Sequence, residues 1–254
     1  MSERAPASNT VYVGCGAGFA DERPDACIPV VETLARRDGP RYLIFETLGE
    51  RTLALAQLER RRDPATGFTP GTAAFLRPIL RRCREAGIRI VANFGAANSL
   101  GAGRLVLELA AELGMPDYKV GIVEGDDLLE YVPEADIRSW TIIEGIPLEN
   151  EPIIAANVYL GARPVAEALR RGADVVILGR CADSALVSAH SSTSSAGRRT
   201  TGSGWRPGRS PGTCSSAARS CRAATSPIPA TRTCPTLPAS ASRSPRSTPM
   251  ARWS

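Results

Sequence analysis

The last quarter of this chain is written in a different alphabet from the rest, and that limits how much of it can become a domain. From His190 to Ser254 there are ten Arg and no Lys, Asp or Glu, eight of the 20 Pro, and no Val, Phe, Tyr, Asn or Gln. Such a segment cannot bury enough apolar surface to offset the entropy of ordering its backbone. Residues 190–254 are therefore expected to be a disordered Ser/Arg/Pro/Thr-rich tail, and the fold must come from the residues before it. Charge divides at the same place. Residues 1–189 carry 21 basic and 26 acidic side chains, a balance of −5, and the ten tail arginines bring the chain to +5. The basic character belongs to the tail, so it is no argument for a nucleic-acid partner of the domain.

The genetic code sharpens this reading. Only His190, Ile228, Leu237 and Met250 of these 65 residues need A or T as the middle codon base. The other 61 are Ser, Thr, Ala, Pro, Gly, Arg, Cys or Trp, all with G or C in the middle. A GC-rich gene read one base out of frame brings its G/C-saturated third position into the middle and writes this alphabet. One lost base near His190 is the reading, with the tail as out-of-frame translation. With free choice of wobble bases, residues 190–197 in the restored frame spell Pro-Leu-Ile-His-Glu-Phe-Gly-Trp. Residues 205–218 spell Leu-Ala-Ala-Gly-Thr-Val-Ala-Gly-His-Leu-Leu-Glu-Cys-Gly. Both strings are globular in style, with acids and large apolar residues.

Before the break, no run approaches the ~20 apolar residues of a membrane-spanning helix. Residues 1–10 are short, polar and carry Glu3, unlike a secretory leader, and read as a flexible N-terminus. A cytoplasmic location without a membrane partner is expected. Cys15, Cys27, Cys83 and Cys181 are scattered without a CxxC pair, and the single His lies at 190, so no metal set is expected.

Residues 11–189 alternate apolar runs with amphipathic ones. Strands are expected at 11–15, 41–46, 88–95, 119–124, 153–159 and 174–179. Helices are expected after Pro24, at 47–62, at 70–86, from the small-residue loop 96–103 through Leu113, and at 164–171. Residues 128–152 are the least periodic, with room for a short helix and an excursion. Strand–helix alternation implies parallel pairing with right-handed crossovers. Leu43–Phe45, Ile88–Ala92 and Val175–Leu178 are apolar on both faces, as a covered parallel sheet requires. The expected class is α/β: a mostly parallel sheet with flanking helices, doubly wound, with a partial β/α barrel as the alternative.

In both architectures ligands bind beyond the C-terminal strand ends, and the polar residues collect there. The first strand runs into Gly14-x-Gly16-x-Gly18, a glycine loop that lets backbone N–H groups approach an anion at a helix start, or that simply makes a tight turn. Cys15, in that loop, is a nucleophile candidate through a pKa lowered by a helix N-terminus. Glu46 and Glu50 are acid/base candidates if the cleft buries them. Asn93, Asn98 and Asn157 suit a carbonyl or carboxylate, or the pinning of loops. Asp126 and Asp127 suit a ligand site or a helix cap. Tyr159 stands at the same rim. Arg180 and Asp183 either bind an acidic ligand or pair with each other.

The strings Gly14-Cys-Gly-Ala-Gly-Phe19, Tyr42-Leu-Ile-Phe-Glu46, Glu50-Arg-Thr-Leu-Ala-Leu-Ala-Gln57, Asn93-Phe-Gly-Ala-Ala-Asn98, Gly125-Asp-Asp127, Ala156-Asn-Val-Tyr-Leu-Gly161 and Gly172-Ala-Asp-Val-Val-Ile-Leu-Gly-Arg180 carry a family resemblance. In this order they resemble the N-terminal domain of the acyclic terpene utilisation (AtuA-like) family, over about residues 11–187. The resemblance implies catabolism of terpenoid acids or acyl-CoA esters of the citronellol and geraniol type, a small-molecule acid or acyl-CoA as partner, and homo-oligomers in intact members. It specifies no reaction, catalytic set or cofactor. The family's text continues with strings like Leu-Ile-His-Glu-Phe-Gly-Trp and Gly-His-Leu-Leu-Glu-Cys-Gly, both of which the restored frame spells. The domain at 11–189 therefore reads as incomplete, and this chain as truncated and inactive. Two alternatives accompany that reading: a nicotinamide-dependent oxidoreductase using the glycine loop and Glu46, and a non-catalytic scaffold subunit of a catabolic complex.

Overall fold

A computed structural model describes residues 10–140, 152–194 and 251–253. The expectations for 1–9, for 141–151, for 195–250 and for 254 lie outside the described residues; of the expected tail, residues 190–194 are helical and 251–253 form a short strand. In chain order the strands are β1 (Tyr12–Ala17), β2 (Arg41–Phe45), β3 (Ile88–Ala92), β4 (Val120–Val123), β5 (Val175–Leu178) and the three-residue β6 (Ala251–Trp253). The helices are α1 (Ile28–Ala35), α2 (Glu50–Arg62), α3 (Thr72–Leu76), α4 (Leu80–Glu85), α5 (Ser99–Glu112), α6 (Glu134–Arg138), α7 (Ala162–Arg170) and α8 (Asp183–Ser194).

β1 to β5 are parallel and lie in the order β1-β2-β3-β5-β4, and β6 pairs antiparallel along the outer edge of β4. Every residue of β4 and β5 is buried, so neither face meets water. One face packs Leu43, Phe45, Ile90, Ile122 and Ile177 against α1, α3, α4 and α5. The other packs Tyr42, Ile44, Val91, Val176 and Leu178 against α7 and α8. Direction explains the division. The chain steps from β1 through β2 and β3 to β4 in one direction, then back to β5. A right-handed crossover that reverses direction must change faces, so α7 lies opposite α5. The sheet is open and doubly wound. The barrel alternative is overturned, since β1 and β4 do not pair and helices cover both faces.

Three expected elements differ. Residues 70–86 form two helices, because Pro78 has no N–H to donate and its ring collides with the preceding turn. The strand expected at 153–159 does not join the sheet. The two edges of β5 are taken by β3 and β4, so this segment crosses above the strand ends and pairs with its neighbours there only through the isolated bridges Asp127 with Asn157 and Leu160 with Cys181. β1 runs on to Ala17, through the expected glycine loop.

α2 packs on neither face. It lies across the C-terminal strand ends, where Leu48, Leu53 and Ala56 meet Ala96 and Ala97. Gln57 reaches Asp127 at 2.7 Å, Arg60 the Ala97 carbonyl at 2.6 Å, and Arg61 the Ile153 carbonyl at 2.8 Å. The helix is thereby tied to the exits of β3 and β4 and to the crossing segment.

Candidate active site

The chain order reverses between β3 and β5, so the helices that follow these neighbouring strands leave towards opposite faces. A crevice opens at such a point in a doubly wound sheet. The residues beneath it are closely packed. A Cβ on Gly179 would stand 2.7 Å from the Ala96 carbonyl, and one on Gly95 would stand 2.7 Å from the Leu178 carbonyl. Ala96 itself has φ 45°, a conformation that costs a non-glycine residue about 1–3 kcal/mol and that tends to occur at functional sites.

Beside this point lies a cleft of about 500 Å³, lined by Phe19, Asp21, 46–52, Tyr159, Arg180 and Asp183. Glu46 leaves the end of β2 and is 8 % exposed. Its Oε1 accepts from the Leu48 N–H at 3.1 Å and from Asn93 Nδ2 at 3.2 Å. Asn93 is itself fixed by accepting the Thr47 N–H at 2.8 Å. With Oε1 engaged twice, Oε2 is the oxygen left for a ligand. Burial raises the Glu46 pKa above the ordinary carboxylate range; the Asn93 and Leu48 donors oppose the rise, and the charge of Asp183 adds to it. A carboxyl group held by one oxygen, with its proton affinity raised, suits proton transfer.

Arg180 leaves the end of β5 with its side chain 8 % exposed. It donates to the Leu48 carbonyl, to Glu50 Oε1 and to the Tyr159 hydroxyl, and its guanidinium lies 4.3 Å from the centre of the Tyr159 ring. The Tyr159 hydroxyl donates to Glu50 Oε1 at 2.9 Å. Glu50 has a lowered pKa, from its own backbone N–H first, then from Tyr159 and Arg180. Thus Glu46, Glu50, Tyr159, Arg180 and Asp183 share one cleft, with Asn93 directly behind Glu46.

The remaining candidates lie elsewhere. Asn98 caps α5, accepting from the Gly101 N–H at 2.9 Å and donating to the Thr66 carbonyl at 2.8 Å. Asp127 accepts from the Leu129 N–H and from Gln57. Asp126 is buried and accepts the Arg180 N–H at 2.7 Å and Asn157 Nδ2 at 3.0 Å. It bolts the exits of β4 and β5 together, and burial pushes its pKa up to about 6. Asn98, Asp126 and Asp127 line a separate pocket of about 90 Å³. No cluster among the described residues has three groups placed to hold a metal ion.

The glycine loop is corrected. Gly14 and Gly16 lie inside β1, where a Cβ would meet Val30 at 2.6 Å and the Phe45 ring at 2.5 Å respectively. Gly16 falls where the β1–β2 register shifts, between Cys15 and Ala17. These two glycines admit side chains, not a phosphate, and only Gly18 stands in the bend beyond the strand. Cys15 is therefore not at a helix start; its Sγ donates to the Ala17 carbonyl at 3.2 Å. The dinucleotide reading loses its cradle. Sequence reasoning missed Phe19 and Asp21 as lining residues. Phe19, an aromatic side chain directly after a glycine run, was the available signal.

A match to the acyclic terpene utilisation family protein AtuA spans residues 11–193, more than two thirds of the chain. The chain belongs to the AtuA family. No curated protein and no solved structure matches it. The AtuA match covers the whole parallel sheet and every residue that lines the cleft, and it ends three residues past His190. No helix among the described residues of this AtuA-family chain is long and apolar enough to cross a membrane.

Proposed function

We propose that this AtuA-family domain is the cytoplasmic N-terminal part of a catabolic enzyme that acts on a terpenoid acid or its acyl-CoA ester, with Glu46 as the proton-transfer group. Membership suggests acyclic terpene utilisation. The observation that carries the reading is Glu46 itself: a buried carboxyl group at a C-terminal strand end, pinned through Oε1 beside a large cleft. Asn93 orients it, and Tyr159, Arg180 and Asp183 form the polar wall against which a substrate sits. Intact members are expected to be homo-oligomers.

This chain, on the same reading, is a frame-shifted and inactive copy. The family match ends where the amino-acid alphabet changes, as a single lost base near His190 requires. Sequencing the gene across that codon tests the slip directly, and an uninterrupted frame sinks it. In protein made from the restored frame, Glu46→Gln should lower turnover by about two to four orders of magnitude and leave the melting temperature within a few degrees. Unchanged turnover removes Glu46 from the mechanism.

A further inference from the structure

Arg180 already holds an anion, and the two partners are buried very unequally. The Arg180 side chain is 8 % exposed, whereas that of Glu50 is 83 % exposed. We propose that Glu50 is a resident stand-in for the carboxylate of an aliphatic acid, which displaces it from Arg180 and Tyr159 on binding. The proposal rests on the reading of the cleft as the substrate site and names the group that anchors the substrate there.

Four features support the exchange. An ion pair with one partner in water is only weakly held, since solvent screens it and can take the carboxylate back. Glu50 also keeps a place to go: it begins α2, where its carboxylate accepts its own backbone N–H and lies at the positive end of the helix. Arg180 stays put when Glu50 leaves, because the Leu48 carbonyl and the face of the Tyr159 ring still fix the guanidinium. The Tyr159 hydroxyl, donating to Glu50 at 2.9 Å, passes its hydrogen bond to the incoming carboxylate.

The lining selects the class of acid. A planar guanidinium fork with a phenolic donor matches a carboxylate. Phe19, half-exposed on the cleft wall, offers an apolar surface to an aliphatic chain. Glu46, Asp183 and Asp21 line the same space and oppose a doubly charged phosphate. A singly charged aliphatic carboxylate satisfies all three conditions.

The test is isothermal titration of the 254-residue chain with isobutyrate, isobutyramide and inorganic phosphate, at a pH where Glu50 is ionised. Glu50→Gln removes the competing charge and should tighten isobutyrate about fivefold, the worth of roughly one hydrogen bond. Glu50→Asp, which keeps the charge but shortens its reach, should move affinity in the same direction. Tyr159→Phe keeps the ring under Arg180, loses the donor, and should weaken isobutyrate by about as much. Isobutyramide and phosphate should bind more weakly than isobutyrate throughout. Thermal melts of each variant establish that it is folded. Isobutyrate affinity that is absent, or unchanged or weaker in both Glu50 variants, overturns the proposal, as does isobutyramide or phosphate binding as tightly as isobutyrate. Binding is read without turnover, so loss of Glu46 from the mechanism leaves this result standing, and the converse also holds.

Discussion

Glu46 and Asn93 are both polar side chains at the ends of apolar strands, and each makes sense through the other. Asn93 is 2 % exposed, accepts the Thr47 N–H and donates to Glu46 Oε1. It therefore sets the backbone that follows β2 and the carboxyl group that ends it. Asn93→Ala leaves the Thr47 N–H buried without its acceptor, which should cost about 1–3 kcal/mol of stability, read from the denaturant midpoint. The same change removes a donor that stabilises ionised Glu46, so the Glu46 pKa should rise further. Carbonyl-carbon NMR of Glu46 across a pH titration checks that direction, and a fall in its pKa contradicts the arrangement.

The elements show why a glycine pattern misleads. Gly14-x-Gly16-x-Gly18 has the look of an anion loop, yet β1 continues through its first two glycines. Gly16 occupies the irregular step of the β1–β2 pairing, where the Phe45 ring fills the space of its absent side chain. Phe45 in turn packs on Phe75 and Phe94, with ring centres 5.6 Å and 5.0 Å away. Gly16→Ala should push this aromatic group off its packing and destabilise the domain by about 1–3 kcal/mol, measured by chemical denaturation. A neutral result means that the ring moves aside at little cost. The helices at 70–86 carry a second lesson. Their apolar spacing is continuous, but Pro78 ends the hydrogen-bond ladder in the middle.

At the scale of the whole molecule, Asp126 couples the exits of β4 and β5 and the crossing segment. Its folded pKa, about 6, stands above the ordinary 3.8. The folded state therefore holds more protons than the unfolded chain between these values. The contribution of Asp126 to stability is fully present below about pH 4 and is lost as pH rises through about 6. Half-buried carboxylates with lowered pKa values, Glu32 and Glu167 among them, act in the opposite sense. The comparison with Asp126→Asn isolates the buried group. Wild-type stability should fall relative to the variant between pH 4 and 6 by on the order of 1–3 kcal/mol. Parallel stability curves for the two proteins across that window would falsify the assignment.

What the sequence determined by itself was the alternation of apolar runs, and with it the covered parallel sheet, since strands buried on both faces must be written without polar interruptions. It also determined where the domain's alphabet stops, because composition is a property of the chain whatever its shape. Glu46, Arg180 and Asp183 were legible as rim residues, because strand ends are visible in the text, whereas Tyr159 was reached from an expected strand that does not join the sheet. The division of the polar rim into one cleft and several structural ties was not legible. The apolar run at 153–159 has strand-like composition, but β5 has only two edges, and which strands fill them is a long-range outcome. Asp126 and Glu46 are both acids at strand exits. Only packing made one a buried bolt between strands and left the other facing an open cleft. A residue's chemistry is fixed by its side chain, whereas its proton affinity and its partners are set by neighbours that can lie 130 positions away, as Glu50 does from Arg180.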